Sequence, residues 1–82
     1  MNNIESRLML LTEANQLTDK LLIIQKKEMI LANELYPSFD AWIMQMGNVN
    51  RINRILEKAT SRAKRRALFF NQSVDNSHQL AA

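Results

Sequence analysis

Arg51, Arg54, Lys58, Arg62 and Arg65 follow one another at intervals of 3, 4, 4 and 3 residues, the clearest pattern of chemically active side chains in the chain. On a helix those intervals place all of them on one face, a row of cations about 21 Å long. Lys64 and Arg66 thicken its end within SRAKRRA, residues 61–67. Guanidinium groups form charge-assisted, often bidentate hydrogen bonds, so the row suits phosphates or the carboxylates of an acidic protein patch. A plainer use is structural. Cations are favoured near helix C-termini, and Glu13 and Asp19 on a neighbouring helix could pair with Lys58, Arg62 and Arg54.

Catalytic chemistry lacks its parts. His78 is the sole histidine and cysteine is absent, so one chain cannot assemble a triad, a two-histidine metal site or a thiolate zinc site. Gly47 is the sole glycine, which leaves no phosphate-cradling loop. Glu5, Glu13, Asp19, Glu28 and Glu34 are spread singly along what reads as one helix, as solvated charges usually are. The expectation is a protein that is not an enzyme and takes no cofactor or metal.

The elements that carry these residues follow from composition. With 46% hydrophobic and 23% charged residues, one glycine and one proline, the 82-residue chain is too apolar for disorder and too poor in turns for a sheet. A chain of this size buries only about 60% of its unfolded surface, and no disulfide can staple it. Further burial must come from oligomerisation or from docking on a partner. The longest purely apolar runs, residues 8–11 and 21–24, are four residues each, far short of a membrane span. Glu5 and Arg7 interrupt the start, where no leader peptide is legible, and a cytoplasmic protein is expected. Charge is uneven: residues 1–40 hold six acids and four bases, residues 41–82 two acids and seven bases.

Periodicity predicts a helix over about 3–35, with Asn2 or Asn3 as its cap and Glu5 answering from the first turn. Its most apolar stripe is Leu10, Ala14, Leu17, Leu21, Ile24, Leu31 and Leu35, interrupted by Glu28, and this is the expected seam with a neighbouring helix. Apolar residues also surround 21–24 and 29–32 on every side, which points to a second contact surface. Pro37 ends the first helix, Ser38 caps the next, and Asp40 suits its first turn. Phe39, Trp42, Met46, Val49, Ile52, Leu56, Ala59, Ala63, Ala67 and Phe70 then keep one helical phase to about Asn71, with a kink at Gly47-Asn48 as the alternative. The basic row lies roughly 120° from this seam. Helices of equal length joined by residues 36–38 make an antiparallel hairpin that sets Leu10 by Ala63, Leu17 near Leu56 and Leu31 by Ile43. Residues 71–82, polar and aperiodic, are expected to be a flexible tail.

The fold class is therefore all-α, an antiparallel helical hairpin of two long helices that dimerises into a bundle. Side chains outside the intramolecular seam are the expected anchors for a partner: Leu22, Met29, Ile30, Tyr36, Trp42 and Met44, with the basic row steering an acidic target. The chain ends Leu80-Ala81-Ala82, which resembles the Leu-Ala-Ala carboxyl terminus of the bacterial trans-translation degradation tag. The resemblance covers those three residues; the polar stretch before them does not match. It implies a short-lived bacterial or phage protein presented to an energy-dependent unfoldase-protease. In plan the hairpin is also similar to small hairpin components of type III secretion systems. Together these features predict a binding protein, an antirepressor-like or anti-activator-like regulator or a secretion-type chaperone, that occupies an apolar helix-binding groove on a target. The alternatives are a small dimeric nucleic-acid-binding protein using Arg51 to Arg66 and, third, a purely structural subunit.

Overall fold

The computed structural model describes the backbone of residues 3–81 and the side chains of residues 3–76. It is a hairpin of two helices, α1 over Asn3–Leu35 and α2 over Phe39–Ala81, and the described residues contain no strand. The turn is built as proline chemistry requires. Ahead of Pro37 the amide of Tyr36 reaches back to the Asn33 carbonyl at 3.4 Å, and beyond it the Ser38 amide donates to the Leu35 carbonyl at 2.9 Å. The Ser38 carbonyl then accepts the Trp42 amide at 2.9 Å, starting α2. Tyr36 meets the Trp42 ring edge-on at 5.8 Å and Phe39 stacks on it at 6.1 Å, so the aromatic residues close this end.

At about 1.5 Å per residue the 43 residues of α2 account for the whole 64 Å long axis of the molecule, whose other extents are 16 and 14 Å. α1, with 33 residues, covers only about 50 Å of it. α2 thus continues ten residues past the expected end at Asn71, through the stretch read from sequence as a flexible tail. The periodicity that vanishes after Phe70 reports packing against α1, not helicity, and residues 72–81 contain neither glycine nor proline to stop the backbone. Ser73 belongs to the packed part: its hydroxyl receives Arg7 Nη1 at 2.5 Å and donates to the Phe69 carbonyl at 3.1 Å.

α2 also runs unbroken through Gly47. Its backbone there has no positive φ, and nothing lies within 4 Å of the position a Cβ would take. Gly47→Ala should therefore stabilise the hairpin by about 0.5–1 kcal/mol and raise its thermal midpoint, followed by circular dichroism, by roughly 3–8 °C. An unchanged or lower midpoint would mean that the glycine serves a bend in solution.

The two helices meet along a seam of alternating threes and fours. On α1 it is Ile4, Arg7, Leu11, Ala14, Thr18, Leu21, Gln25, Glu28, Ala32 and Leu35; on α2 it is Trp42, Gln45, Val49, Ile52, Leu56, Ala59, Ala63, Arg66, Phe70 and Ser73. All of them are buried or half-buried, as in coiled-coil packing. Buried apolar side chains among the described residues are few and mostly small: Ala14, Leu21, Ala32, Val49 and Ala59. Alanines bring the helices close, at the expense of buried area.

The α2 phase read from the sequence is the one used from Trp42 onward, while Phe39 stays 67% exposed at the turn. The α1 phase is corrected in part: Ala14, Leu21 and Leu35 lie in the seam as expected. Leu10, Leu17, Ile24 and Leu31, expected in the seam, remain between 41 and 45% exposed on its flank. The α1 seam is offset toward Leu11, Thr18, Gln25 and Ala32, because matched polar partners on α2 await Gln25, Glu28 and Arg7 there.

Candidate protein interaction surfaces

Polar groups inside the seam set how the hairpin is held. Gln45 is buried, and its Nε2 donates to the Glu28 carbonyl at 2.9 Å and also to the Glu28 carboxylate, while its Oε1 accepts Asn48 Nδ2 at 3.2 Å. One turn of α1 earlier, Gln25 Nε2 donates to Asn53 Oδ1 at 2.5 Å. At the open end Arg7 Nη1 donates to the Phe69 carbonyl at 2.9 Å with its guanidinium 5.8 Å from the Phe69 ring centre, and Arg66 Nη1 donates back to the Leu10 carbonyl at 3.0 Å. These pairs exist in one alignment of the helices, and shifting either helix by a turn would strand buried donors. Gln45→Leu should cost about 1–3 kcal/mol in urea denaturation by leaving Glu28 half-buried without its donor. Glu28→Leu combined with Gln45→Leu should recover most of that loss. A double variant as weak as the single one would refute this account of the pair.

Outside the seam the surface divides into unlike sides. Leu10, Leu17, Ile24 and Leu31 are seven residues apart and form an unbroken apolar row along one flank of α1. α2 contributes Phe69 beside Leu10, where the two residues share a hollow of about 220 Å³ with Arg7 and Arg66. Toward the turn, Met44 and Arg51 lie with Leu35, Ala41 and Asn48 around another hollow on this flank. The opposite side of α1 carries Leu8, Leu22, Ile23, Met29 and Ile30, all exposed.

The structure thus separates the residues expected to anchor a partner. Leu22, Met29 and Ile30 fall together on the far side of α1, whereas Met44 lies on the Leu10 to Leu31 flank and is the most exposed large apolar residue described, at 77%. Tyr36 is exposed at the turn, and Trp42 is half-buried in the seam against Tyr36 and Phe39. Leu10, Leu17, Ile24 and Leu31 are the residues that sequence reasoning missed as a surface. Their seven-residue spacing was the available signal, and their high hydrophobicity is what assigned them to the interior.

Arg51, Arg54, Lys58, Arg62 and Arg65 are all exposed on the back of α2, and Lys58, Arg62 and Arg65 border a shallow hollow with Glu57 and Ser61. Among the described residues none of the five forms an ion pair or hydrogen bond, so the pairing with Glu13 and Asp19 considered from sequence is not made. Arg66 differs, since it is half-buried and spends a donor on α1. No helix among the described residues is long and apolar enough to cross a membrane, and no three described His, Cys, Asp or Glu side chains gather as metal ligands would. Leu80, Ala81 and Ala82, the expected degradation signal, lie outside the residues whose side chains are described, as does His78. No protein-family model matches the chain, and neither a curated protein nor a solved structure does.

Proposed function

We propose that this chain is a non-enzymatic, cytoplasmic protein-binding regulator or chaperone of a bacterium or phage, acting as a bundle of paired hairpins that sequesters a helix of its target. The observation that carries the reading is the row Leu10, Leu17, Ile24 and Leu31, left half-exposed along a rod whose other helix presents unpaired cations. A row repeating every seventh residue is complementary to another helix rather than to a compact ligand, because an amphipathic helix repeats its own apolar side chains at nearly that interval. The cations suit a target helix with acidic residues beside its apolar face, since charges at a rim steer encounter and reject wrong partners. The carboxyl-terminal Leu-Ala-Ala would add turnover by an unfoldase-protease, as suits a regulator set by its abundance.

A second reading is favoured by one feature: although Glu57 stands beside it, no described carboxylate pairs with the row Arg51, Arg54, Lys58, Arg62 and Arg65, which is therefore available to nucleic acid phosphates. The two readings demand different things of salt. Five phosphate contacts would weaken nucleic acid binding roughly 500-fold between about 50 and 200 mM salt, whereas an apolar protein complex would change little. The test is to purify the protein from its native host at both salt concentrations and identify what remains bound. A stoichiometric protein retained at the higher salt, and lost when Leu17 and Ile24 are made polar, supports sequestration. Nucleic acid released by salt supports the second reading and ends the first.

A further inference from the structure

Leu22 lies on α1 between two exposed, opposite charges, Asp19 three residues before it and Lys26 four residues after it. Among the described residues neither charge has an ion-pair partner. Asp19 and Lys26 share a helical column, one heptad apart, and exposed apolar side chains border that column: Leu22 and Met29 on one side, Ile23 and Ile30 on the other. This sector faces away from the Leu10 to Leu31 flank, so its use leaves the proposed target surface open.

The arrangement is complementary to itself when reversed. If α1 of a second copy runs antiparallel across it, with the two-fold axis passing between Leu22 and Ile23, Asp19 of each copy meets Lys26 of the other. The same operation sets Thr12 opposite Asn33 and packs Leu22 against Leu22 and Ile23 of the second copy, while Met29 and Ile30 fall opposite Gln16 and Asn15, so the apolar match is central. A parallel pairing in register would instead set Asp19 against Asp19 and Lys26 against Lys26. Isologous contacts of this kind, in which one patch serves both subunits, are the commonest route to a closed dimer.

The available area also fits. A face as long as α1, about 50 Å, and as wide as one helix, about 11 Å, is roughly 550 Å² per copy or about 1,100 Å² over both, just above the roughly 1,000 Å² that a specific interface needs. From this geometry we infer that two copies of the chain pair through the Leu22 side of α1, antiparallel, with reciprocal Asp19 to Lys26 contacts. The inference rests on the reading that hairpins pair into a bundle and names the surface and direction of that pairing.

The chain has no cysteine, so single introduced thiols report on geometry without background. The purified full chain would be studied as Leu22→Cys, Ile30→Cys and Leu10→Cys with a short bismaleimide, alongside mass by light scattering. The expected result is a dimer that Leu22→Cys links covalently. Ile30→Cys should not link, because reversal about Leu22 sets its two copies about 22 Å apart along the axis. Leu10→Cys should not link because it lies on the other flank. Asp19→Lys should weaken the dimer at least tenfold, and adding Lys26→Asp should restore it. A dimer that links through Ile30→Cys or Leu10→Cys, or whose charge swap restores nothing, overturns this interface and leaves the bundle intact. A monomer across the micromolar range overturns both.

Discussion

Val49→Asp is expected to unfold the hairpin. Val49 is 1% exposed and is the largest side chain covered completely among the described residues. A carboxylate there would be taken from water with no cation or donor assigned to it, a change that costs several kcal/mol. The hairpin has little to set against such a loss, because stability of about 0.05–0.15 kcal/mol per residue gives a chain of this length only roughly 4–12 kcal/mol. Circular dichroism at 25 °C should show most of the helical signal gone and no cooperative thermal transition. Val49→Ala serves as the graded comparison, with about 2 kcal/mol lost and the transition retained. If the aspartate variant kept the parent's helicity and melting curve, Val49 would not lie in the seam, and the alignment of the two helices would have to be redrawn.

Val49 also shows what sequence makes legible. On α2 the apolar residues and the residues facing α1 are nearly the same set, from Trp42 through Val49, Leu56 and Ala63 to Phe70, so hydrophobic phase found the buried face directly. On α1 the two sets overlap only in part, in Ala14, Leu21 and Leu35 among the expected stripe. The seam takes Thr18, whose hydroxyl donates to the Ala14 carbonyl within α1, and Arg7, Gln25 and Glu28, whose burial depends on partners contributed by α2, among them Phe69, Ser73, Asn53 and Gln45. No property of α1 alone reveals those pairings. Hydrophobicity therefore selected the Leu10 to Leu31 row, one column away, and placed inside the hairpin side chains that stand on its flank.

The end of α2 was obscured for a related reason. Patterning marks where a helix is covered by its neighbour, and α1 stops covering α2 near Ser73, while the backbone continues to Ala81. The turn was legible because Pro37 acts locally and needs no distant partner, and Ser38 opens α2 through its backbone carbonyl alone. The basic row was legible as a surface for the same local reason: five charges on one helical face cannot be buried without counter-charges. Whether Glu13 and Asp19 supplied them depended on how the helices align, and that alignment is set by the polar pairs in the seam.

Leu17→Gln combined with Ile24→Gln is expected to leave the hairpin folded while removing most of its affinity for the sequestered target. Both residues are a little over 40% exposed, so polar replacements keep access to water, and each should shift stability by only about 0.5 kcal/mol. A partner that covers the exposed part of each side chain gains about 1 kcal/mol per residue, and losing both gains weakens the complex roughly 30-fold. Arg62→Gln with Arg65→Gln should act differently. Rim cations govern mainly the rate of encounter, so the complex should form several-fold more slowly, lose part of its salt dependence and dissociate at nearly the parent rate. Binding to phosphates would invert the ranking: the arginine pair would dominate affinity, and the leucine and isoleucine changes would leave it untouched. Titrating both double variants against whatever copurifies with the parent therefore separates the two readings. An apolar double variant that binds like the parent removes the Leu10 to Leu31 row as the target surface.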